Sequence, residues 1–136
     1  MQELAVLLRS MQLAAHNFHN LVARTVFMQD HEMLGDLYAK YEQIYDGIIE
    51  RMIGLDLPVN LNQIQLLAAQ KIQQLPVDVK ENKQCFQLLL QLEKQVCMSI
   101  EALIAQTKLS EGTRQMLGNI CDESESRQYK LKQRVK

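Results

Sequence analysis

The sequence has little of what interrupts a helix. Among 136 residues there are five glycines and two prolines, there is no tryptophan, and aromatic residues make up only 5%. With so few turn-forming residues, the Leu, Gln, Glu and Lys spread along the chain favour a few long helices. No run of about 18 or more apolar residues occurs, so we predict no transmembrane helix. The N-terminal stretch also lacks the basic start and apolar block of a signal peptide.

Charge and cysteine usage exclude further classes. The net charge of −1 gives no reason to expect a nucleic-acid or membrane partner. Cys85, Cys97 and Cys121 have no CxxC spacing, and Cys85 and Cys97 lie about 18 Å apart if they share one helix, too far for a disulfide. We interpret all three as reduced, buried thiols and expect a cytoplasmic protein.

Apolar residues recur at alternating gaps of four and three, as in Leu4, Leu8 and Met11. This spacing is typical of amphipathic helices. Ser110 is a helix N-cap candidate, and Gly54 followed by Pro58 marks a helix end. The predicted long helices cover about 2–23, 28–54, 79–107 and 111–134.

The segment 55–78 is longer than a helical hairpin needs. It contains a predicted short helix over 61–73 and is long enough to travel the length of a bundle. The length of 136 residues fits one domain. We therefore predict a single all-α domain over 1–136, a four-helix bundle with one long crossover.

Four residues follow one another at gaps of 12, 15 and 4: His19, His31, Asp46 and Glu50. Two imidazoles and two carboxylates form a nitrogen and oxygen ligand set that suits iron or another first-row metal. All the histidines of the chain lie between His16 and His31. This clustering makes the four residues our candidate metal ligands.

Helix geometry forbids these four residues from serving one ion within one chain. Asp46 and Glu50 share a helix face, but His31 lies about 22 Å from Asp46 along the same helix. A metal–ligand bond is about 2 Å long. If two chains pack their second helices antiparallel about a two-fold axis, His31 of one meets the carboxylates of the other. We expect such a shared site twice in each dimer.

At this point the residues resemble a known family, the Dps-type mini-ferritins, which are DNA-protecting iron-storage proteins of starved bacteria. The resemblance spans roughly residues 10–132. The segments that carry it are His19, the pair His31-Glu32, Asp46, Glu50-Arg51 up to Gly54 and Pro58, and Ser110-Glu111-Gly112-Thr113 followed by Met116-Leu117.

The resemblance implies a ferritin-like four-helix bundle assembled as a hollow dodecamer. It further implies a ferroxidase that oxidises Fe(II), in the family mostly with hydrogen peroxide, and stores the ferric product as mineral. By matching position, His19 and His31 would come from one subunit. Asp46 and Glu50 would come from its partner.

The chain departs from the family pattern at several positions. Gly35 stands where an acidic residue is common, four residues after His31, and the adjacent Asp36 points about 100° away. Asn20 and Tyr129 stand where the family usually has tryptophan. One ligand is missing, so the sequence leaves open whether each site holds one metal or two.

Two other functions remain open: a structural or interaction protein with a partly decayed metal site, and a DNA-compacting protein. The DNA-compacting protein would use the basic segment 127–136 to contact phosphates. The alternative is that these cations only stabilise the helix C-terminus by interacting with the helix dipole. The remaining polar and aromatic candidates are given ordinary roles. We interpret His16 and Glu32 as surface residues of a helix, and Tyr38, Tyr41 and Tyr45 as core or interface residues.

Overall fold

The computed structural model describes residues 1–75 and 80–136 of the chain, and every regular element in these ranges is a helix. The prediction of an all-α bundle whose long crossover carries a short helix is confirmed. The helices are α1 (Gln2–Leu21), α2 (Phe27–Gly54), α3 (Leu61–Gln73), α4 (Asn82–Gln106) and α5 (Glu111–Arg134).

The helix ends are set by local side-chain caps. Ser110 accepts a hydrogen bond from the Thr113 backbone N–H at 3.2 Å, and Asn60 caps α3 in the same way. Glu81 and Gln84 form a capping box that starts α4. Because these side chains satisfy the orphan N–H groups of a first turn, they fix where each helix begins. The expected start of the third long helix at 79 lies outside the described residues.

The apolar stripes meet in one core. Met11, Leu34, Ile64, Leu89 and Leu117 come from the five different helices, and all five are fully buried. The core therefore joins the α1–α2 pair to the α4–α5 pair, with α3 packed along α1. None of the helices in the described ranges has the length and apolarity needed to cross a membrane.

Two side chains of α5 lie near the surface. Tyr129 is 65% exposed, because it sits two positions before the buried Leu131, about 200° around the helix. Cys121, predicted to be buried, is only partly so. Tyr41 and Tyr45 do lie in the core.

A partly buried ion pair joins the C-terminal end of α5 to the N-terminal end of α2. Asp30 is 2% exposed and accepts two hydrogen bonds from Arg134, at 3.0 and 2.8 Å. Asn82 donates a third at 2.9 Å. Burial alone would raise the pKa of Asp30, but the Arg134 and Asn82 hydrogen bonds bring it below its ordinary value of 3.8. The carboxylate is therefore charged and stabilises the closed bundle.

Candidate metal site on the α1–α2 surface

The turn between α1 and α2 brings His19 and His31 face to face. Only five residues separate the two helices, and Arg24 in this turn adopts a left-handed conformation with φ of 75°. The imidazole rings stack with centroids 3.6 Å apart and planes inclined by 23°. Two histidines that are 12 positions apart in sequence thus form one pair.

Each histidine of the pair is held by the backbone of the other. His19 Nδ1 lies 2.8 Å from the His31 carbonyl oxygen, and His31 Nδ1 lies 2.8 Å from the His19 carbonyl oxygen. A carbonyl oxygen only accepts, so both Nδ1 atoms carry the proton. Both Nε2 atoms are then left with a free lone pair. This Nδ1–H···O=C arrangement is the usual support of a metal-binding imidazole.

Other aromatic rings continue the pair on both sides. Phe27 stacks on His31 at 4.9 Å, and Tyr38 meets His19 edge-on at 5.3 Å. The exposed His16 stacks on Tyr38 at 4.4 Å, with its ring 6.3 Å from that of His19. These neighbours restrict the two central rings, which are themselves half-buried.

Gly35 lies directly against the His19 ring. A Cβ atom at this position would stand 3.3 Å from Cε1 and 3.4 Å from Nδ1 of His19. The shorter distance is tighter than most contacts of a real Cβ atom. The absence of a side chain at Gly35 therefore gives the His19 ring its space.

The neighbouring acid does not replace the missing one. Asp36 lies on another face of α2, where it lines a groove of about 430 Å³ between α2 and α5. Lys40 lines the same groove and forms an ion pair with Glu123 at 3.1 Å. The expectation that Asp36 points away from the site agrees with this placement.

The carboxylates of Asp46 and Glu50 have no partner among the described residues. Both are exposed on α2, and neither forms a hydrogen bond or ion pair with any described residue. They are not brought next to His19 and His31 within the chain. Over 1–75 and 80–136 no three side chains of His, Cys, Asp or Glu are grouped closely enough to hold a metal ion.

The interior of the bundle offers a different set of charged groups. Glu93 on α4 is fully buried and binds the Arg127 guanidinium through both of its oxygens. The Tyr41 hydroxyl donates to it at 2.8 Å and the Ser124 hydroxyl at 2.6 Å. Burial, with the charge of Glu93 next, raises the pKa of Tyr41 well above its ordinary value of 10.0, so this phenol stays protonated.

Bundle-core di-iron centres need several inward-facing carboxylates and histidines. Among the described residues, the buried carboxylates are Asp30 and Glu93, and no histidine is buried. Each of these acids is already paired with an arginine. These interior groups are satisfied, whereas the histidine pair with its two free Nε2 atoms lies on the α1–α2 surface.

Sequence reasoning missed this interior network. The available signal was Glu93 itself, a carboxylate on the apolar stripe between Leu89 and Val96. Arg127 and Arg134 had been grouped with the basic segment 127–136, but both point inward to acids. The cations that remain exposed in that segment are Lys130, Lys132 and Lys136.

Comparison with known proteins places the fold in a family. The family model described as a ferritin-like domain matches residues 2–136. The chain therefore belongs to the ferritin-like family, whose members generally store or oxidise iron. A search of curated proteins and a search of solved structures gave no significant match.

Proposed function

We propose that this chain is the subunit of a Dps-like mini-ferritin, which oxidises Fe(II) at sites shared between subunits and stores the ferric product in a hollow shell. The substrate is iron. With hydrogen peroxide as oxidant, two Fe(II) ions give up one electron each, and the peroxide takes up two protons to become two waters. Removing both reactants together limits the formation of hydroxyl radicals.

The observation that carries the proposal is the reciprocal histidine pair. His19 and His31 each donate a hydrogen bond from Nδ1 to a backbone carbonyl, which leaves both Nε2 lone pairs available. A pair kept only for packing has no need of two such bonds that fix the same tautomer. Imidazoles held in this way are poised to bind a borderline metal ion such as Fe(II).

The carboxylates supply the other half of the proposed site. Asp46 and Glu50 are exposed, one helical turn apart, and without a partner among the described residues. Asp46 lies about 22 Å along α2 from His31, and Glu50 lies one turn farther on. Antiparallel packing of two α2 helices sets His31 against the partner's Asp46. Each dimer then has two equal sites. The anionic oxygens hold Fe(II) and stabilise Fe(III) as it forms.

Replacing the carboxylates tests the site. We expect the double variant Asp46→Asn/Glu50→Gln to lower the initial rate of Fe(II) oxidation by at least about tenfold, since changes next to metal ligands alone cost about 10- to 100-fold. The matched control is Asp36→Asn, an acid of the same helix that faces the α2–α5 groove. Equal rates in both variants and the parent would refute the assignment.

Assembly gives a second, independent test. Twelve chains of 15.7 kDa form a particle of about 190 kDa, which light scattering measures directly. A stable monomer that oxidises iron at full rate would contradict the shared site.

One observation favours a second function, a structural shell without iron chemistry. Gly35 removes an acid from the site, and the His19 ring occupies the space beside it. An anaerobic titration with Fe(II), in which calorimetry measures the binding, distinguishes the two functions. Binding that disappears in the carboxylate variant supports iron oxidation, whereas an assembled particle that binds no Fe(II) supports the structural function.

A further inference from the structure

The Asn82 side chain, in the first turn of α4, binds the turn that joins α1 to α2. Its Oδ1 accepts a hydrogen bond from the Ala23 backbone N–H at 3.2 Å, and its Nδ2 donates to the Ala23 carbonyl oxygen at 2.8 Å. The second N–H of the same nitrogen donates to the Asp30 carboxylate at 2.9 Å. A primary amide has one oxygen and two N–H groups, so all of its polar groups are engaged in a single orientation.

These contacts lie on both sides of the histidine pair. Ala23 follows His19 by four residues, and Asp30 directly precedes His31. Asn82 is 59 residues from Ala23 and 52 residues from Asp30 along the chain. One side chain of a different helix therefore connects the end of α1 to the start of α2, next to the place where the two imidazoles stack.

The turn between α1 and α2 has few other restraints. Residues 23–26 are exposed, and Arg24 adopts a left-handed conformation, which a non-glycine residue keeps only when its surroundings impose it. The Asn82 amide is itself anchored, because Asp30 also forms an ion pair with Arg134 at 2.8 Å. The bonds from Asn82 therefore supply an external restraint on a strained turn that is open to solvent.

We propose that Asn82 is the positioning residue of the histidine pair. Its bonds to Ala23 and Asp30, which we call the Asn82 clamp, hold the turn in the shape that lets His19 and His31 form their reciprocal Nδ1–H bonds before any metal arrives. The inference rests on the proposed function only for the identity of the ligand, Fe(II). A pair fixed in advance binds a metal ion more tightly, because the imidazoles lose less freedom on binding. Groups that orient metal ligands are typically worth about 10- to 100-fold in affinity.

Two substitutions of Asn82 separate hydrogen bonding from packing. Leucine has nearly the shape of asparagine but no polar group, so Asn82→Leu removes all three bonds and keeps the volume. Asn82→Ala removes the same bonds without adding apolar surface, and it should give the same result. The matched control is Ser110→Ala, which removes a bond between a side chain and a backbone N–H just beyond the other end of α4.

The first measurement uses the intact, metal-free protein with isotope-labelled histidine nitrogens. Magic-angle-spinning NMR of the sedimented protein at about pH 8, where the imidazoles are neutral, shows which ring nitrogen carries the proton. For the parent and for Ser110→Ala we expect His19 and His31 to be protonated at Nδ1 alone. In both Asn82 variants these two rings should show a mixture of the Nδ1–H and Nε2–H forms, while the exposed His16 stays as in the parent.

The second measurement is the dependence of the oxidation rate on Fe(II) concentration. We expect the Asn82 variants to need about tenfold more Fe(II) for the half-maximal rate, with a smaller change in the maximal rate, because the ligands themselves are intact. Unchanged tautomers or an unchanged Fe(II) dependence in both Asn82 variants would overturn the proposal and leave the proposed function standing. So would equal changes in Ser110→Ala. A parent that binds no Fe(II) would refute the proposed function alone, since the tautomers are measured without metal.

Discussion

The histidine pair on the α1–α2 surface and the Glu93 cluster in the bundle interior use charged and polar groups in opposite ways. In the interior, Glu93 has hydrogen bonds to Tyr41, Ser124 and Arg127. At the surface, His19 and His31 satisfy one nitrogen each and leave the other free. A satisfied cluster stabilises a fold, and an unsatisfied one can bind a ligand, so the difference locates the candidate site outside the bundle.

The largest expected effect comes from opening the interior cluster. Replacing Glu93 with Ala leaves the Arg127 guanidinium buried without its partner, which costs about 3–5 kcal/mol of folding free energy. Chemical denaturation measures this loss. The double variant Glu93→Met/Arg127→Met should lose clearly less than the sum of the single variants. Full additivity would mean that the two side chains act independently.

Whether the histidine pair shares its site with a partner subunit is best tested by complementation between two inactive variants. Variant His19→Ala/His31→Ala keeps the carboxylates, and variant Asp46→Ala/Glu50→Ala keeps the histidines. We expect each to oxidise Fe(II) at about one-tenth of the parent rate or less. Co-expressed in equal amounts, half of the dimers are mixed and each has one intact site, so about a quarter of the parent activity returns.

The control for complementation is each variant expressed alone and brought to the same total concentration. Absence of any recovery in particles that demonstrably contain both chains would mean that the site is not shared between subunits. The same particles should have the parent size by light scattering, because the substitutions lie on exposed or half-buried side chains.

The Asp30–Arg134 bridge gives a pH-dependent effect of intermediate size. The pKa of Asp30 is lower in the folded protein than its ordinary 3.8, so the unfolded chain binds more protons in this range. The charged Asp30 therefore stabilises the fold fully well above pH 3.8. This stabilisation is lost as the pH falls through the pKa that Asp30 has in the folded protein. The Asp30→Asn variant should lose about 1–3 kcal/mol at pH 7.

The free energy of unfolding, measured by denaturant titration from pH 7 down to pH 3, checks this assignment. The gap between the parent and Asp30→Asn should narrow as the solution becomes more acidic. A constant gap across the range would mean that the Asp30 charge contributes nothing.

The smallest expected effect is at Gly35. Replacing a glycine inside a helix with alanine normally stabilises by about 0.5–1 kcal/mol. At Gly118 in α5 nothing lies within 4 Å of an added Cβ, so Gly118→Ala should show this gain. Gly35→Ala should fall short of it, because the new Cβ presses on His19, and it should weaken Fe(II) binding measured by calorimetry.

The helices could be predicted because their signals are local. Leu4, Leu8 and Met11 mark one face of α1, and the Ser110 cap needs only the next few residues. The same holds for the long crossover, since Pro58 stops a helix wherever it stands. The four-helix architecture with one long crossover followed from these elements, and the family resemblance added the ferritin-like fold.

The contacts of the site join residues that are not neighbours in the sequence. No local sequence pattern therefore predicts them. His19 and His31 were singled out as ligands, but their reciprocal bonds depend on the turn containing Arg24. Gly35 was noticed only as a missing acid, whereas its contact with His19 is a matter of packing. Arg127 was grouped with exposed cations, because nothing near it in sequence indicates its partner Glu93.

The sequence separation of these contacts bears on the order in which the molecule folds. His19 and His31 are 12 positions apart, so the α1–α2 hairpin can form both of their bonds early, at a small loop-closure cost. Asp30 and Arg134 are 104 positions apart, and contacts of such long range form slowly. We therefore expect the histidine half-site to form while the bundle around it is still open, and the bridge from α5 to α2 to be among the last contacts to close.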